Sequence, residues 1–122
     1  MPEVNLPLTI QPIKHWVVVE FQTASLMDAL QLQAIGDALY HLIDAQDKRL
    51  IILDFSRVEF LSSQAIGILL TMNKKLSVLP RSKLVLCGVG SRLTELLRIT
   101  RLDKILTVKP TQKEAAEVMM AL

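Results

Sequence analysis

The chain is sparing with the residues that carry most redox, metal and acid–base chemistry. It has one cysteine and two histidines in 122 residues. A lone Cys87 cannot close an internal disulfide. It ends the apolar run Leu84-Val85-Leu86-Cys87, where a small core residue is expected rather than a nucleophile. A chain without disulfides is compatible with a reducing compartment. His15 and His41 lie far apart on different elements, with no histidine or cysteine at ligand spacing, which argues against zinc and leaves both as surface or loop residues. Aromatic residues make up only 4%, so the core has to be aliphatic. Long apolar runs are missing too. The longest uncharged stretch, Phe60 to Asn73, falls short of the ~20 residues that span a bilayer. The N-terminal Met1-Pro2-Glu3-Val4-Asn5 has an acid and no basic segment, so no secretory signal is expected. The expectation is a soluble, cytoplasmic protein.

A net charge of +2 is too small to imply nucleic acid. Its distribution is uneven: Arg81, Lys83, Arg92, Arg98, Arg101 and Lys104 face only Glu95 and Asp103 across that stretch. A weak basic face would result, unless these are simply the solvated sides of amphipathic helices.

Against these scarcities, 51% of residues are hydrophobic and 21% charged, the balance of an ordered domain. The length suits one domain over residues 1–122 with one core. Leu8–Ile10, flanked by Pro7 and Pro12, suits a short edge strand. Lys14-His15 suits a turn, and Trp16–Phe21 is a strong strand. Gln22–Met27 reads as a loop. Asp28 caps a helix, with Gln31 three residues on. Leu32, Ile35, Leu39, Leu42 and Ile43 form that helix's apolar stripe. Leu50–Phe55 is continuously apolar until its end, as in a central strand covered on both faces. Ser62 or Ser63 opens a second helix, apolar over much of its circumference and closed by Lys74, Lys75 and Pro80. Lys83–Cys87 is a buried strand. A turn follows, then a short helix capped by Ser91 and ending near Thr100. Ile105–Val108 reads as a last strand. Thr111 and Glu114 form a capping box for a final helix that packs Ala115, Val118 and Met119 inward. The order ββαβαβαβα predicts an α/β fold with a mixed, mostly parallel sheet of four to five strands and about four helices.

Several short patterns invite chemistry. Gly88-Val89-Gly90 sits between a strand and a helix, but lacks the third glycine of a dinucleotide fingerprint and the Lys-Ser/Thr of a phosphate loop, so a tight turn is the simpler reading. Ser62-Ser63 lacks the flanking glycines of a nucleophile elbow and has no histidine base placed with it, which leaves no serine hydrolase. Asp54 and Glu59 lie near a strand end, where acids can hold magnesium but more often serve turns. The serine pair itself stands at a strand-to-helix junction. Free N–H groups and the positive end of the helix dipole there would tolerate a phosphate. One serine can cap the helix while the other stays open to a kinase.

The stretch Asp54-Phe55-Ser56-Arg57-Val58-Glu59-Phe60-Leu61-Ser62-Ser63-Gln64-Ala65-Ile66-Gly67 resembles the signature of the STAS domain family, the anti-sigma factor antagonists. That signature runs strand, D-[LF]-S-x-V, two bulky apolar residues, D-S-[ST]-G-L-G, helix. Lys83–Gly88 resembles the next family strand, and Leu97–Leu106 resembles a later Thr-x-Leu-Asp-Lys region. The resemblance spans nearly the whole chain and implies a STAS-like fold. It implies a non-enzymatic protein with no cofactor or metal, which binds an anti-sigma factor that is often a GHKL-type serine kinase. It makes no use of nucleic acid or membrane, and the protein would be a monomer or weak homodimer. It places the phosphoacceptor at Ser63, with Ser62 as the alternative. Ser62, Ser63, Gln64, Ile66, Gly67 and Leu70 would form the partner-binding surface. The chain departs from the signature at Ser62, Gln64 and Ala65, where the family has Asp, Ser/Thr and Gly. Two other readings follow. One is a scaffold within a larger signalling complex, without a working phosphoswitch. The other is small-molecule binding at the Gly88–Ser91 turn. Attachment to a transporter, which the family also shows, is not expected of a free-standing chain.

Overall fold

The computed structural model describes residues 6–122. Met1–Asn5, where no secretory signal was expected, lies outside the described residues. In chain order the elements are β1 (Leu8–Ile13), β2 (Trp16–Phe21), β3 (Ser25–Leu26), α1 (Ala29–Asp44), β4 (Leu50–Asp54), β5 (Phe60–Leu61) and α2 (Ser63–Ser77). Then come β6 (Lys83–Cys87), α3 (Ser91–Ile99), a 3-10 turn at Leu102–Lys104, β7 (Thr107–Lys109) and α4 (Gln112–Met120).

The main sheet has five strands in the order β1-β2-β4-β6-β7. Only the β1–β2 hairpin is antiparallel; every other neighbour pair is parallel. The sequence therefore predicted the sheet correctly. β1 runs longer than expected, through Pro12. The hairpin register and the bond from Gln22 N to Pro7 O put Pro12 at a position whose nitrogen faces away from β2, so its missing N–H costs no ladder bond.

Central strands covered on both faces explain the continuous apolar runs. Ile51, Ile52 and Leu53 of β4 are all fully buried. One face of the sheet (Val17, Val19, Ile51, Leu53, Leu84 and Leu86) packs on α1, α2 and α3 through Leu32, Ile35, Leu69, Met72 and Leu93. The other face (Trp16, Val18, Ile52, Val85 and Cys87) packs on α4 through Ala115 and Met119. The expected apolar stripe of α1 is buried in full. Val118 was expected inside; it is half-buried and packs at the margin of the α4 cluster.

Four local expectations need correction. The segment Gln22–Met27 contains β3, which pairs in parallel with β5 at Ser25↔Phe60 and Leu26↔Leu61. Two residues are too short for periodicity to reveal. The cap of α3 is Gly90, with no side-chain hydrogen bond, and Ser91 is already helical. The last strand begins at Thr107 because Leu102 turns inward in the 3-10 segment, leaving Ile105 57% exposed. β4 ends at Asp54, and Phe55 is buried beyond it against Phe21, ring centroids 5.0 Å apart.

Removing the centre of the sheet has a size set by packing. Leu53→Ala is expected to lower unfolding free energy by about 2–5 kcal/mol in a urea titration, since a fully buried leucine leaves a cavity the flanking strands cannot collapse.

Candidate functional site

The Asp54 carboxylate organises the loop between β4 and α2. Its Oδ1 accepts from Ser56 N at 2.8 Å and from the Ser56 hydroxyl; its Oδ2 accepts from Gln112 Nε2 of α4 at 2.9 Å. The same Gln112 amide lies 3.4 Å from Glu20 Oε1 on the adjacent strand. Asp54 thus serves the turn, as its position at a strand end suggested, while Glu59 is exposed and contributes its backbone N–H to Ala24 O at 2.7 Å. Among the described residues, no three His, Cys, Asp or Glu side chains cluster as a metal site.

Gly88 makes room for that turn. Its φ is +67°, and a Cβ there would stand 2.9 Å from Asp54 Oδ1 and 3.0 Å from Ser56 N. Gly88 is therefore a close approach between two loops, as a tight turn requires, while Gly90, the residue before α3, has open space around its Cα.

The chain next runs to the serine pair along β5. Phe60 N bonds Ala24 O at 3.1 Å and Ser62 N bonds Leu26 O at 3.1 Å, so the unexpected β3–β5 pair fixes where α2 begins. Ser62 is the N-cap. It is extended (φ −84°, ψ 169°), and its hydroxyl accepts from Ala65 N at 3.2 Å. Its carbonyl takes Ile66 N at 3.1 Å. Ser63 is the first helical residue and is exposed. Its hydroxyl makes no hydrogen bond among the described residues. The sequence left open which serine caps, and backbone geometry decides it: only the extended residue before the helix can fold its side chain onto the first-turn N–H groups.

The other expected contact residues divide. Gln64 is exposed, and its amide donates to Ala29 O at 3.1 Å, tying α2 to the start of α1. Gly67 is exposed, with open space around its Cα. Ile66 and Leu70 are half-buried and lean on the main core. Sequence reasoning passed over Met27, Leu30 and Phe60, which are 53%, 84% and 43% exposed beside the serine pair. The signal was there for Leu30, which falls off the α1 apolar stripe. The Arg92 guanidinium covers the Phe60 ring at 4.8 Å. This end of the molecule thus carries exposed apolar side chains, one cation over Phe60, and the open hydroxyl of Ser63.

The remaining candidates are structural. His15 Nε2 bonds Met119 O at 3.0 Å, at the end of α4. Arg81 precedes β6 and Arg92 follows it, at opposite ends of the strand, while Arg98 pairs with Glu95, so the basic row of the sequence is not one face. Burial, and to a lesser extent Asp54 and Glu20, push the Cys87 thiol from 9.0 up to about 12, which suits a core residue and not a nucleophile.

A family model described as the STAS domain matches residues 10–115. The structure is similar to an anti-sigma-factor antagonist (STAS) domain protein from Planctomyces limnophilus, at TM-score 0.82 and 20% identity, over 95% of this chain and 99% of that one. An anti-sigma factor antagonist from Mycobacterium paratuberculosis superposes at TM-score 0.81 and 22% identity, over 93% and 92% of the two chains. The Bacillus cell fate determinant SpoIIAA, in its phosphorylated form, does so at TM-score 0.69 and 18% identity, over 90% and 96%. At these identities the likeness is one of fold.

Gly88→Ala should destabilise by more than ~1 kcal/mol, since a left-handed backbone and a blocked Asp54–Ser56 turn act together. Chemical denaturation measures this, and a loss no larger than that of Gly67→Ala would contradict it. For Cys87 the native state holds its proton longer than the unfolded chain. Its contribution is therefore complete below pH 9.0 and is lost as pH rises toward about 12. Stability of the wild type should fall more steeply across that window than stability of Cys87→Ala, by urea titration at successive pH values.

Proposed function

We propose a function from one premise: this chain belongs to the STAS domain family. We read it as a regulatory protein that works by binding another protein and catalyses nothing itself. The partner is an anti-sigma factor of the GHKL-type serine kinase class, held through Ser62, Ser63, Gln64, Ile66, Gly67 and Leu70. Met27, Leu30 and Phe60 extend that surface. Ser63 is the phosphoacceptor, with Ser62 the alternative. The setting is the cytoplasm, and the free protein is a monomer or weak homodimer.

The observation that carries this reading is the division between the two serines. Ser62 is occupied as the cap, and Ser63 presents an exposed, uncommitted hydroxyl at the helix N-terminus. A phosphate there gains from the helix dipole and from first-turn N–H groups, so modification need not disturb the fold. Its effect falls on the contact. About −1.5 to −2 charges would enter an apolar interface and require desolvation or a cation. The switch then acts by charge at the surface, without a conformational change.

The scaffold reading rests on the departures from the family signature. Ser62, where the family has an acid, removes a charge a kinase can read. Ala65, where the family has glycine, is 4% exposed and part of the core. A scaffold would assemble with concentration and keep Ser63 unmodified.

Two measurements separate these. Phosphosite mapping on protein from its own host should find phosphate on Ser63 and none in Ser63→Ala. In capture assays Ser63→Ala should retain the partner, and Ser63→Glu should weaken it by about tenfold or more, a loss of ~1.4 kcal/mol or above. Unmodified Ser63 across growth states, together with concentration-dependent assembly, would establish the scaffold instead.

A further inference from the structure

The opposite end of the sheet carries an unassigned concavity. A cavity of about 290 Å³ opens where three loops meet before the N-terminal ends of the strands. The β1–β2 turn brings Lys14, the α1–β4 connection brings Asp47, Lys48 and Arg49, and the α2–β6 connection brings Arg81. Trp16, Val17 and Leu50, the first residues of β2 and β4, line it as well. We propose that this cavity binds a small phosphorylated molecule, holding its phosphoryl groups between cations supplied by the three loops.

Charge is the first argument. Four cations and one acid give the cavity three net positive charges, while the whole chain has +2, so the rest of the protein is slightly acidic. The protein's positive character is concentrated here. Asp47 Oδ1 accepts from Arg49 Nε at 3.0 Å, and Arg49 Nη1 donates to Pro80 O at 3.1 Å, which sets the guanidinium plane before any ligand arrives. Lys14, Lys48 and Arg81 make no ion pair among the described residues.

Backbone conformation is the second argument. Four non-glycine residues among those described have positive φ, and three of them line this cavity: Lys14 at 54°, Asp47 at 53° and Arg81 at 54°. Left-handed backbone favours glycine, asparagine and aspartate, so Asp47 adopts it readily. Lysine and arginine at two such turns sacrifice backbone ease to place charge. Shape then selects the ligand class. Cations gathered around a small concavity from three loops suit a compact polyanion, whereas nucleic acid is matched by an extended basic stripe.

The test uses inorganic pyrophosphate as probe, by isothermal titration calorimetry and by amide chemical shifts at low ionic strength. Saturable one-to-one binding is expected, with shifts confined to the segments around Lys14, Lys48, Arg49 and Arg81. The double variant Lys14→Asn and Arg81→Asn keeps residues suited to left-handed turns while removing two charges. It should melt no lower than wild type and bind pyrophosphate about tenfold or more weakly. Ser63→Glu should bind as wild type does, so failure at either end of the sheet is told apart from failure at the other. Unsaturable binding, equal binding by the double variant, or shifts gathered at the Ser63 end would overturn the proposal. So would binding of a duplex oligonucleotide without competition from pyrophosphate.

Discussion

One carboxylate holds the serine end of the molecule together. Asp54 stands at the last residue of the central parallel strand, and its two oxygens face in different structural directions. One closes the turn that begins the loop to α2, and the other grips Gln112 at the start of α4, on the opposite layer. Bonds to an ionised acceptor are stronger than neutral ones, so the end of β4 is a firm origin for the loop that follows. Gly88 is the steric counterpart of this arrangement. Its missing side chain is what allows the β6–α3 turn to lie against the Asp54–Ser56 turn.

From that origin the chain passes to α2 along two residues of strand. The β3–β5 pair is marginal by itself, since isolated two-stranded ribbons are weakly stable. It works here because Leu26 is buried in the core while the backbone of Ala24 and Leu26 takes up the N–H groups of Glu59, Phe60 and Ser62. Ser62 is thereby held extended at the moment the helix starts, and Ser63 is delivered outward. The same segment leaves Met27 and Leu30 uncovered, so the surface that frames Ser63 is built from two chain segments distant in sequence.

The two ends of the sheet differ in kind. The C-terminal end of the parallel strands carries hydroxyls, exposed apolar side chains, two acids that share the Gln112 amide, and Arg92 over Phe60. The N-terminal end carries cations on turns of left-handed backbone. Parallel strands place all their connections at one end or the other, so residues far apart in the chain gather at each. Helices cover both faces of the central strands β4 and β6, whereas the edge strand β1 is largely exposed.

The sequence alone determined the elements whose signal is periodic or repeated. The buried runs of β2, β4 and β6, the α1 stripe and the caps at Asp28 and Thr111 were readable because burial on both faces, or on one helical face, writes itself into consecutive residues. The serine pair was readable from its place between an apolar strand and an apolar helix, and the stretch around it by its resemblance to a family signature. Tertiary structure decided what depends on neighbours distant in the chain. It chose Ser62 as cap over Ser63, because the β3–β5 pairing sets the backbone there. It set Gly88 against Asp54, left Leu30 exposed, and moved the last strand to Thr107 once Leu102 found the core. It also split the basic residues, sending Arg81 to join Lys14 and Lys48 while Arg92 covers Phe60. Charge along a chain carries no record of which loops a parallel sheet will bring to the same end.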